Sequence, residues 1–301
     1  MSLERGLVRA GGTSPASKRI GFESMSSIET KSSWALWMRQ IAAVMRLELK
    51  KNFFGKRSVL VYLLALMPIV LLTFLALLMP PTTGFNNLAR IFAWIYAALI
   101  LRAVIFFGCA WIFMNLFRGE LVDRSLHYYF LSAMRREVLV VGKYLSGLIT
   151  SVVLCVATTV VSMMLLYFPH FTSESTRFFL DGPGLGHLFS YIGITVLACI
   201  GYGALFLVVG LFFRNPIIPA LVLYGWEAIN VLLPPLLKKI SIIHYLNSLS
   251  PVPAPESTPF AVVAEPTSAW IAVPGLLIVT ALVMIIASRR IRRLEISYGS
   301  D

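Results

Sequence analysis

Six apolar runs of at least 18 residues dominate this chain: Val59–Met79, Ile91–Met114, Tyr144–Phe168, Leu188–Phe213, Pro216–Leu237 and Trp270–Ala287. A helix of that length spans the ~30 Å hydrocarbon core of a bilayer. The second run holds one charge, Arg102, the fifth holds Glu227, and the other four hold none. The expected fold is all-α: a polytopic membrane protein with six transmembrane helices. Composition agrees. Of 301 residues 58% are hydrophobic and 13% charged, about half the charge of a soluble domain. Such a chain cannot cover itself with charged surface in water, which excludes an ordinary soluble enzyme.

The net charge is +12, a balance that often indicates nucleic acid. Placement of the charges says otherwise. Eleven Lys and Arg precede Val59, five lie between spans two and three, Arg214 lies between spans four and five, and four lie in 289–293. Those connections share one side, so 21 of the 26 basic residues gather there, against Arg90, Arg177, Lys238 and Lys239 on the other. The positive-inside rule puts both termini in the cytoplasm, and the basic residues face anionic headgroups of the plasma membrane. No role for nucleic acid remains.

Before the first span, residues 1–33 are polar, rich in Ser and Gly, and lack the apolar core of a signal peptide. They are expected to form a disordered cytoplasmic tail, as is 294–301. Between them, 34–293 forms a single transmembrane domain. Its first part, Trp34–Arg57, reads as an interfacial amphipathic helix. At 100° per residue Arg39, Arg46, Lys50 and Arg57 fall within about 40° of one another, opposite Trp34, Trp37, Ile41 and Val44. Glu48 lies among the apolar residues, where a carboxylate needs a partner. Cys109, Cys155 and Cys199 all lie in spans without a CxxC pattern and read as small apolar residues.

The connection at 118–137 carries more than a tether needs. Glu120, Asp123, Arg135 and Arg136 flank Tyr128, Tyr129, Phe130 and Leu131. Apolar patches edged by charge mark contact surfaces, and Tyr and Arg are enriched there. Inside the bilayer, Arg102 and Glu227 each stand 11 residues from the start of their runs, near the midplane, where an isolated charge costs a few kcal/mol or more. They are expected to approach each other, within one subunit or across a dimer, as a fixed bridge or as part of a substrate route. Asn230 shares the face of Glu227 and is a third candidate member. Pro68 is expected to kink the first span, and Leu236–Leu249 to form a short interfacial or re-entrant piece.

This order of elements resembles the permease subunit of ABC-2 type transporters. The residues that carry the resemblance are Met45-Arg46-Leu47-Glu48-Leu49-Lys50-Lys51, then Glu120, Leu131-Ser132, Arg135-Arg136-Glu137 and Gly142-Lys143-Tyr144. The chain departs from the family pattern at Arg124-Ser125-Leu126, where Gly-Thr-Leu is usual, and at Ala133-Met134, where Pro-Val is usual. The resemblance implies a subunit that forms an export pathway as a dimer, driven by separate ATPase subunits that bind ATP and Mg. It further implies that 118–137 is the coupling segment. Glu120 and Asp123 would anchor that segment to Arg or Lys nearby while Tyr128, Tyr129, Phe130 and Leu131 fill a groove of the ATPase, with Arg135 and Arg136 in the same coupling set.

Motifs for independent chemistry are missing. No GxxxxGK[ST] occurs, so the chain has no P-loop for ATP. HExxH is absent, the three Asp residues lie outside the runs, and the four His residues have no metal-ligand spacing. The chain is therefore expected to be neither an enzyme nor a metal site. A second function class stays open: a secondary transporter coupled to an ion gradient through Arg102 and Glu227.

Overall fold

The computed structural model describes residues 15–55, 58–80, 83–122, 136–167, 178–179, 181–213, 215–253 and 266–292. Every long regular element among them is helical. In chain order these are α1 (Pro15–Phe54), α2 (Ser58–Leu78), α3 (Phe85–Ile95), a π-helical segment (Tyr96–Ile105) and α4 (Phe106–Val122). Then follow α5 (Arg136–Tyr167), α6 (Gly184–Phe212), α7 (Ile217–Ile229), a 3-10 turn (Asn230–Leu232), α8 (Pro235–Lys238), α9 (Ile242–Ser248) and α10 (Ala269–Arg292).

Five helices are long and apolar enough to cross a membrane: Ser58–Leu78, Phe85–Phe117, Glu137–Tyr167, Gly184–Phe212 and Ala269–Ile291. This is a membrane-embedded helical protein. The expected sixth span, Pro216–Leu237, is not one continuous helix. Its helix stops at Ile229 after 13 residues, gives way to the 3-10 turn, and breaks before Pro234, where the chain turns extended. Adjacent prolines lack the N–H that would continue the ladder. The chain then folds back as α8 and α9, so the piece expected at Leu236–Leu249 is two short helices. At the other end of the chain, α1 starts at Pro15, inside the stretch read as a tail, and runs on through the interfacial helix expected from Trp34.

The bundle centres on α6, which packs on α4, α5 and α10, while α5 also holds α1 and α2. Close approach depends on small residues. A Cβ on Gly210 of α6 would stand 2.9 Å from the Met114 Cα of α4, so only glycine fits. Along α5, Ser146, Thr150, Ser151, Thr158 and Thr159 are buried, and each hydroxyl donates to a carbonyl three or four residues back. That bonding lets polar side chains face neighbouring helices with no lost partner. The Thr195 hydroxyl of α6 meets Tyr96 Oη at 2.9 Å and Thr159 Oγ1 at 3.3 Å. Three free thiols, Cys109, Cys155 and Cys199, are buried in α4, α5 and α6. By contrast α2 and α10 leave Phe74, Leu77, Leu78, Trp270 and Ile278 exposed, faces suited to lipid rather than water.

Candidate functional site

Glu48 is buried on the face of α1 that meets α5. Two turns into α5, Gly142 makes room for that face: a Cβ there would lie 3.1 Å from Val44 Cγ1 and 3.4 Å from the Ile41 carbonyl oxygen. Lys143 follows and is fully buried. Its Nζ donates to Glu48 Oε1 at 2.9 Å and to the Leu116 carbonyl of α4 at 2.7 Å, and lies 5.3 Å from the Phe117 ring centroid. Lys51 Nζ reaches the same Glu48 oxygen at 3.7 Å from the exposed side. One ammonium thus ties α1, α4 and α5 together. A charge this deep is tolerable only with such partners, and removing Glu48 or Lys143 takes from the other its closest counter-charge.

This junction sits at the two ends of the segment read as coupling. Glu120 belongs to the last turns of α4, and Arg136 opens α5. Asp123, Tyr128, Tyr129, Leu131 and Arg135 lie outside the described residues. Of the interfacial-helix residues, Arg46 and Lys50 are exposed while Trp37 is half-buried, with its ring 5.7 Å from that of Trp34. The sequence marked Glu48 as lacking a partner and Gly142-Lys143-Tyr144 as a motif. It did not join them, because the two residues lie 95 positions apart.

The intramembrane charges are arranged otherwise than expected. Glu227 is buried in α7, but Arg102 does not hold it. Its Oε2 accepts from the Ser241 hydroxyl and from Ile243 N at 3.2 Å, and its Oε1 from Ile242 N at 3.1 Å. The carboxylate therefore caps the start of α9, where backbone N–H groups have no helical partner and a negative charge is favoured. No ion pair joins Glu227 to Arg102 among the described residues. Asn230 is buried but bonds elsewhere, donating to the Lys238 carbonyl at 3.4 Å. Sequence reasoning missed Ser241, whose role depends on the chain folding back after Pro235.

Tyr202 of α6 packs its ring edge-on to Phe106, one turn along the helix from Arg102, with centroids 5.3 Å apart. Arg102 Nε and the Tyr202 hydroxyl are buried with no hydrogen-bond partner among the described residues. Rings of Phe106, Tyr202, Phe206 and Tyr224 pack beside them, with centroids 4.9 to 5.3 Å from that of Phe106. Among the described residues no cluster of three or more His, Cys, Asp or Glu could hold a metal ion. The chain matches no protein-family model and no curated protein.

Proposed function

We propose that the chain is the membrane-spanning permease subunit of an ATP-driven exporter of the ABC-2 type, working as a dimer in the plasma membrane with both termini in the cytoplasm. Separate ATPase subunits, carrying ATP and Mg, supply the motion. The observation that carries this reading is the Lys143 tie. It fuses the basic surface helix and the two helices flanking the coupling segment into one unit at one end of the bundle. A push on residues 118–137 then moves α1, α4 and α5 together as a rigid body, the kind of displacement that can switch which side a pathway faces. The ion-gradient reading has less support, since three donors already occupy Glu227.

The test is purification from the native membrane. An ATP-hydrolysing partner is expected to accompany the chain and to be lost with Tyr128→Ala, Tyr129→Ala and Leu131→Ala combined. Unchanged association in that variant, or cargo movement by the purified chain alone, would refute the proposal.

A further inference from the structure

Arg102 stands near the middle of the 33-residue helix Phe85–Phe117, more than about 20 Å along the axis from either end. Its side chain cannot snorkel that far, so its charge needs company within the membrane. The chain supplies little. The Nε is sealed without an acceptor, and the Tyr202 hydroxyl nearby is a second buried donor without one. The oxygens of Glu227 are engaged by Ser241, Ile242 and Ile243. Arg102 is half-buried, so the guanidinium retains an open side.

The backbone there is π-helical, a looser winding frequent at functional sites. Trp94 and Trp111, eight and nine residues from Arg102 on the same long helix, are exposed, as are Ile229 and Leu232 where α7 ends. The rings of Phe107 and Tyr224, 4.8 Å apart, hold these two segments side by side. Unmatched donors beneath helices that expose apolar side chains fit a ligand with an acceptor-rich anionic head and an aliphatic body.

We propose that Arg102, with the Tyr202 hydroxyl near it, recognises the phosphate, sulfate or carboxylate head of an amphiphile lying between the second long helix and α7. As a statement of substrate class this rests on the reading of the chain as a permease; as a binding site it does not require the ATPase.

The experiment uses the full chain in nanodiscs and a diazirine-bearing alkyl phosphate. Labelling is expected on peptides around Trp94–Trp111 and Tyr224–Leu232, competed by dodecyl phosphate and not by dodecyltrimethylammonium. Arg102→Gln is expected to weaken labelling about tenfold or more, as loss of a charge-assisted bond implies. Arg102→Lys should fall between, and Tyr202→Phe should lower it a few-fold. Competition by added phosphatidylglycerol would identify the head as that of a bilayer lipid, and its absence a non-lipid amphiphile; both support the site. Equal labelling of wild type and a folded Arg102→Gln would overturn it, as would equal labelling by an alkylammonium probe. So would a disulfide between copies carrying Arg102→Cys and Glu227→Cys, since a second subunit would then fill the place. If Arg102→Gln does not fold, unchanged labelling of Tyr202→Phe overturns the proposal. Absence of labelling in the wild-type chain with the ATPase still bound removes this inference and leaves the permease reading standing.

Discussion

Lys143 donates to Glu48 across 2.9 Å, joining two helices whose paired residues lie 95 positions apart in the chain. Either side chain alone would be a buried charge without its closest counter-charge. Glu48→Gln or Lys143→Met is expected to lower stability by about 3–5 kcal/mol. Replacing both by apolar residues of similar volume should restore much of it, because the desolvation cost disappears with the charges. Thermal unfolding of the detergent-purified variants measures this, and a double variant no better than the singles would contradict it.

The contact between α4 and α6 gives a sharper steric test. Gly210→Ala would bring a methyl within 2.9 Å of backbone at Met114, and backbone cannot rotate aside. A loss of at least about 1–3 kcal/mol is expected. Gly225→Ala in α7 meets nothing within 4 Å and should be neutral or slightly stabilising. Melting temperatures of the two variants should separate clearly.

Glu227 and Ser241 fasten the turn after α7. Ser241→Ala removes a hydroxyl donor to the buried carboxylate and should cost about 1.5–3 kcal/mol. Glu227→Ala removes all three bonds at once and should cost more. Amide exchange is the direct readout: faster exchange is expected at Ile242 and Ile243, with α5 unchanged. Uniform exchange across the molecule would argue against a local cap.

His244 lies on α9, outside the five long apolar helices, with Nε2 3.2 Å from Thr267 Oγ1. Burial first, then the charges of Lys238 and Lys239, hold its pKa below the ordinary 6.5. The folded state thus binds the proton less readily than the unfolded one. Its contribution to stability is complete above pH 6.5 and is lost as pH falls from there through the lower folded value. Acidification should open α9 and its contact with 266–268, seen as rising exchange in those peptides. His244→Gln should flatten that dependence.

Sequence alone revealed the five long helices because hydropathy over 18 or more residues is a sufficient signal when lipid is the solvent. The same signal read Pro216–Leu237 as one helix, since it counts apolar residues and ignores whether their backbone can remain in one helix. Pro234 and Pro235 were visible, but a break one or two turns earlier was not. Glu48 was legible as a misplaced carboxylate from helical periodicity. Its partner was not, because Lys143 looked like one more basic residue in a connection. Within one subunit Arg102 and Glu227 form no ion pair, for a related reason: depth along a helix was readable, while the nearer claim of Ser241 and two backbone amides arose from a fold-back with no sequence period.

Thirteen residues of α7 rise only about 20 Å, well short of a bilayer's apolar thickness. Set across a bilayer, a helix of that length would leave the depth beyond Ile229 to be filled by the folded-back polypeptide or by thinned lipid.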